Sequence, residues 1–177
     1  MNPGGILCLD LSTETGWAYG HPGDPAPSWG VWKLPKHISR GAVGLAFENE
    51  FEGMLEAQKP VRVVYEAPLP PNLQSNADAG FFTIGLAFTT EACAARWEIP
   101  VFSRSSQTFR NAVIGRVYLT DEEKRAKPRL SVKTAIVAPW IAAQGWQITD
   151  HNAADAAVVW AYETGIRHTG FGKRRAA

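Results

Sequence analysis

The chain has 177 residues, 45% of them hydrophobic, with seven tryptophans and a formal net charge of +1. That length and composition suit one folded domain with a sizeable core and exclude a disordered polyelectrolyte. Near-neutral charge means that any site for a polyanion is a local patch, and the lack of a long apolar run or a basic-then-apolar leader predicts a cytosolic protein away from membranes.

The first element predicted is a strand over residues 5–11, in which the apolar run Ile6 to Leu9 is too short for a helix and reads as buried on both faces. It ends on Asp10, a carboxylate that is costly to bury unless a cation or strong hydrogen-bond partner meets it, or unless it lies at the solvent-facing end. The Ser12-to-Gly16 turn leads into strands at 16–20 and 28–33, a three-strand meander separated by the turn-forming Gly20-His21-Pro22-Gly23. Within the third strand, Trp29 and Trp32 face opposite sides. Residues 41–58 follow as a helix with an apolar stripe of Val43, Ala46, Phe47, Phe51, Met54 and Leu55.

A β-branched strand at 61–66 again ends on a lone carboxylate, Glu66, and Pro68 stops it. After a polar loop at 72–76 comes a long helix from Asp78 to Trp97, rich in small residues, and then a short strand around Pro100-Val101-Phe102. Helices are expected at 105–114, at 130–143 with a kink or stop at Pro139, and at 151–166 behind an N-cap of Thr149 or Asp150. In that last helix Asn152 and His151 flank Asp155 on one face. Cys8 and Cys93 lie in apolar patterns without metal-ligand spacing and read as reduced core residues.

Three strands followed by alternating helices and strands imply a mixed α/β sheet. Two strand-end carboxylates and one on a helix can converge on a point, and such oxygen ligands suit a hard divalent ion such as Mg²⁺. The acidic first strand, Glu66, Asn76-Ala77-Asp78 opening a small-residue helix, Ile99-Pro100-Val101-Phe102 and Ala153-Ala154-Asp155-Ala156 occur together in this order. In these features the chain resembles the ribonuclease H-like nuclease superfamily, and within it a divergent, phage-like branch of the RuvC-type Holliday junction resolvases. The resemblance spans Ile6 to about Ala161.

It implies a ribonuclease H-like mixed five-stranded sheet, an antiparallel three-strand meander plus parallel strands, with helices on both faces. Residues 1–168 would form one nuclease domain and 169–177 a flexible basic tail. By resemblance the protein is a homodimer in the cytoplasm of a bacterial or phage-infected cell. It would bind four-way DNA junctions and nick opposing strands with Mg²⁺ or Mn²⁺. Asp10, Glu66 and Asp155 are the expected catalytic metal ligands. A fourth position falls among His151, as ligand or proton carrier, Asp150 and Asn152. Phosphate contacts are expected from Arg104, Arg110, Arg129 and Lys133, although the basic run Lys124 to Lys133 reads equally well as a solvated face balanced by Asp121, Glu122 and Glu123. The helix containing Phe82, Leu86 and Thr89 would sit at the dimer interface. Where the family carries an aromatic wedge this chain has Pro68-Leu69-Pro70-Pro71, with Phe81 and Phe82 further on.

Three other readings compete. Asp10-Leu11-Ser12-Thr13-Glu14-Thr15-Gly16 looks like the phosphate loop of a nucleotide-binding phosphotransferase, yet no second copy of that loop appears. A nuclease acting on RNA or on a hybrid would share the metal chemistry. A non-catalytic junction-binding module would be expected to lack one of the three carboxylates.

Overall fold

The structure, a computed structural model, describes residues 4–36, 39–69, 77–126, 128 and 130–167. Strands β1 (Ile6–Asp10), β2 (Glu14–Gly20) and β3 (Ser28–Lys33) form the antiparallel meander, and β4 (Arg62–Glu66) and β5 (Val101–Arg104) extend it in parallel on the other side of β1. The sheet order is β3-β2-β1-β4-β5, which places β1 at the centre. A central strand covered on both faces needs a continuous apolar run, and alternation assigns its residues. Ile6 and Cys8 belong to one core cluster, Leu7 and Leu9 to the other.

Helices α1 (Arg40–Gln58) and α2 (Ala77–Arg96) cover the Leu7/Leu9 face. In α1 the buried stripe Val43, Phe47, Phe51, Leu55 repeats every four residues; Ser39 caps its start by accepting from the Ala42 N–H at 3.2 Å. The opposite face carries α3 (Ser106–Ile114), α5 (Ala138–Ala143) and α6 (His151–Glu163), with the short α4 (Asp121–Arg125) peripheral. α6 is buried at every position from Ala153 to Ala161, which accounts for its all-round apolar sequence. Its Trp160 closes an edge-to-face chain through Trp146 to Trp140.

The helix expected over 130–143 with a kink or stop at Pro139 instead widens just before that proline. A π-helical turn, Lys133–Val137, runs into α5, and the Ala138 N–H donates to the carbonyl of Lys133. Pro139 has no N–H to continue the regular ladder, so the widened turn sits just before it. β2 begins two residues earlier than expected, because Glu14 pairs with Lys33. α4 is an addition, built by a capping box between Thr120 and Glu123. Trp32 enters the core while Trp29 is half-buried. The tail and the loop at 72–76 lie outside the described residues.

α6 approaches β2 closely enough that a side chain at Gly16 would overlap the carbonyl of Asn152 and the amide of Ala153. The obstacle is backbone, so it cannot rotate away. Gly16→Ala is expected to cost about 1–3 kcal/mol, read as a lower urea midpoint. Gly53→Ala, on the exposed face of α1 with open space around it, should instead gain about 0.5–1 kcal/mol.

Candidate active site

Parity and register assemble the acidic cluster. β1 and β4 run parallel with Leu9 opposite Tyr65, so the next residues, Asp10 and Glu66, are neighbours at the carboxyl ends of both strands. Asp10 shares the parity of Ile6 and Cys8, and Glu66 that of Val64, so both face the α6 layer. Asp155 completes the group from α6, with its side chain fully buried. Among the described residues it is the buried ionisable group of an otherwise apolar helix segment.

Two cations meet these carboxylates. From α3, Arg110 donates to Asp155 Oδ1 at 2.8 Å and lies 3.8 Å from Glu66 Oε2. From the start of the π turn, Lys133 donates to Asp10 Oδ2 at 2.6 Å and to Asn152 Oδ1 at 2.7 Å, with Asp155 Oδ2 3.0 Å away. Asn152 in turn donates through Nδ2 to the Glu14 carbonyl at 2.7 Å, tying the start of α6 to β2. Burial first, then the Asp10 and Asp155 charges, push Glu66 up from the ordinary 4.5 to about 7. Burial also raises Asp10, against the pull of Lys133. For Arg110 and Lys133, burial works downward but their carboxylate partners outweigh it, and both are raised and stay cationic.

The other expected site residues are distributed differently. Asp150 serves as the N-cap of α6: its Oδ1 accepts from the Asn152 N–H at 2.7 Å and from the Ala153 N–H at 3.1 Å. That role turns it toward the helix end. His151 is exposed at the first helical position. Arg104 is engaged away from the cluster, donating from Nε to Glu163 Oε1 at 2.9 Å, while Arg62 pairs with the same carboxylate at 3.2 Å. Arg129 lies outside the described residues. Around α4, Arg116 pairs with Glu123 and Lys124 with Asp121, the self-balanced solvated face.

The carboxyl oxygens of Asp10, Glu66 and Asp155 are a donor set for a hard divalent ion. The fit is supported by Asp155 Oδ2, a fully buried carboxylate oxygen whose nearby cation is the rim ammonium of Lys133 at 3.0 Å. A tighter grouping of potential ligands, Glu48, Glu52 and Cys93, lies between α1 and α2. There the Arg96 guanidinium already binds both glutamates, and burial pushes the Cys93 thiol up to about 11. That grouping is an ion-pair cluster.

No protein-family profile and no curated protein sequence matches the chain. Solved structures do. The Thermus thermophilus RuvC in complex with a Holliday junction substrate superposes with a TM-score of 0.67 at 13% identity, over 89% of this chain and 91% of that one. The fold is that of RuvC. A second Thermus thermophilus RuvC structure gives 0.63 at 14% identity, covering 92% and 98% of the two chains. The yeast mitochondrial Holliday junction resolvase Ydc2 gives 0.59 at 12% identity, covering 93% and 79%. The RuvC fold agrees with the architecture expected from the sequence, down to the mixed five-stranded sheet.

Glu66 carries a pH signature that can be read without substrate. With chelator present, the unfolded chain gives up the Glu66 proton near the ordinary 4.5, whereas the folded chain keeps it until about 7. Glu66 therefore contributes stability that is full below the lower value and lost as pH rises through the upper one. Urea midpoints of the wild type should fall relative to Glu66→Gln across that window. A difference between the two proteins that does not change with pH would contradict the raised value.

Proposed function

We propose that the protein is a divalent-metal-dependent endonuclease that resolves four-way DNA junctions and related branched DNA. The observation that carries this reading is the meeting of Asp10, Glu66 and Asp155 at the carboxyl edge of a RuvC fold. All three carboxylates that metal chemistry would need are present, which disfavours a binding-only module.

The reaction is phosphodiester hydrolysis. A water oxygen bonds to phosphorus, the P–O3′ bond breaks, and the 3′ oxygen leaves with a proton to give a 3′-hydroxyl and a 5′-phosphate. Asp10, Glu66 and Asp155 would hold Mg²⁺ or Mn²⁺, which supplies Lewis-acid stabilisation of the phosphate and activation of water. Arg110 is placed to orient Asp155 and Glu66, and it offers N–H donors to a phosphate oxygen at the same edge. With Lys133, it offsets part of the carboxylate charge, and a bound divalent ion would supply the rest of the positive charge that a phosphate needs.

Four-way junctions are two-fold symmetric, so paired nicks call for a two-fold dimer. On α2, Thr89 of the expected interface set is half-buried. Leu86 is buried against the sheet and Phe82 is half-buried, whereas Phe81, Ile84 and Phe88 are 64%, 41% and 73% exposed. Their spacing of three and four puts them on one helical face, which a second copy would cover.

Two measurements test the proposal. Mg²⁺ with a synthetic four-way junction should give symmetric nicks, lost by at least about a thousandfold in Asp10→Asn; equal cutting of linear duplex or RNA–DNA hybrid would move the substrate to another class. In sedimentation, the wild type should run as a dimer and Phe81→Glu/Phe88→Glu as a monomer. A monomeric wild type would remove the two-fold argument.

A further inference from the structure

The cations in the acidic cluster differ in how firmly they are held. Arg110 is 11% exposed and is fixed between Asp155 and Glu66. Lys133 is 32% exposed, and its ammonium reaches in from the rim at the first residue of the π turn. There it meets oxygens from three residues: Asp10 Oδ2 at 2.6 Å, Asn152 Oδ1 at 2.7 Å and Asp155 Oδ2 at 3.0 Å. A compact point charge among oxygen ligands occupies the kind of place a small cation would take. The contact with Asp155 Oδ2 is an ion pair, and the ammonium is the cation nearest that buried oxygen.

We propose that Lys133 is an exchangeable internal counter-ion. Its ammonium holds the space between Asp10 and Asp155, and would leave it when these carboxylates take up a divalent ion. This rests on the reading of Asp10, Glu66 and Asp155 as the metal centre. Two positive charges cannot share that gap, whereas two carboxylates brought together with no cation would repel one another. The flexible four-carbon stem and the open rim give the lysine a route out; the buried guanidinium of Arg110 has none and remains. The consequence is that this chain binds metal against its own competitor, so its metal affinity is set partly by Lys133.

The test is calorimetric titration of Mn²⁺ into the full chain, without DNA, for the wild type, Lys133→Met, Lys133→Gln and Asp10→Asn. Lys133→Gln retains a hydrogen-bonding end for Asp10 and Asn152 if the methionine variant folds poorly, and thermal melts in chelator check both. Removing the competing charge should tighten Mn²⁺ binding by about tenfold or more in both lysine variants. Their melting temperatures should also rise more with added Mn²⁺ than that of the wild type. Unchanged or weaker Mn²⁺ binding in both lysine variants, with wild-type binding lost in Asp10→Asn, would overturn the exchange and leave the metal centre standing. Wild-type binding that survives Asp10→Asn, or no binding in any variant, would overturn both.

Discussion

The structure depends on accommodating a fully buried carboxylate, Asp155, inside an apolar helix. An isolated charge there would cost many kcal/mol, so the surrounding elements are arranged around its compensation. Arg110 comes from α3 and Lys133 from the π turn, two segments far from Asp155 in sequence. Each cation also serves a strand-end carboxylate, so neither pair is isolated: Arg110 reaches Glu66 and Lys133 reaches Asp10. The three carboxylates exceed the two cations by one negative charge when all are ionised. Burial first, and then the neighbouring acids, raise Glu66, which eases that excess; a divalent ion would ease it differently.

Backbone geometry makes the convergence possible. Parallel pairing of β1 with β4 brings Asp10 and Glu66 level, and strand alternation turns both toward α6. The helix must then lie close to the sheet for Asp155 to reach them, and Gly16 opposite Asp10 on β2 permits this. Asn152 secures the approach from the helix side by bonding to the Glu14 carbonyl, and it also orients Lys133. One short stretch of β2 and the first turn of α6 therefore control the position of the whole cluster.

Much of this was legible in the residues. Apolar strands ending on single carboxylates mark β1 and β4, although a lone acid at a strand end can also simply face solvent, and it is the set of three that points to a site. The four-residue stripe of α1 and the small-residue character of α6 likewise dictate their packing. What could not be read is which cations serve which acids. Lys133 and Asp10 are separated by 123 positions, and no local pattern distinguishes Lys133 from Lys124, which ends on a solvated helix facing Asp121. Arg104 illustrates the same limit: its charge is visible in sequence, but its engagement with Glu163 follows from α6 ending beside β5. The π turn was hidden because Pro139 announces a disturbance without saying whether the helix kinks, ends or widens.

The start of α6 shows how local requirements decide the role of a polar residue. Asp150, His151 and Asn152 are all adjacent to the cluster in sequence, and any of them has chemistry suited to a fourth ligand. A buried helix beginning at this point leaves backbone N–H groups without partners, and Asp150 satisfies two of them. With its Oδ1 held there, the carboxylate is committed to the helix end. His151, one residue on, is carried to the exposed side by the helical rotation of about 100° per residue. Asn152 falls three residues before Asp155 and so shares its face. A neutral amide in that place can accept from Lys133 and donate to β2 at once. A carboxylate could accept, but it could not donate to the Glu14 carbonyl, and it would add a fourth negative charge to a cluster already short of cations. The amide thus fits the requirement that the helix be anchored to the sheet while Lys133 is held between the acids.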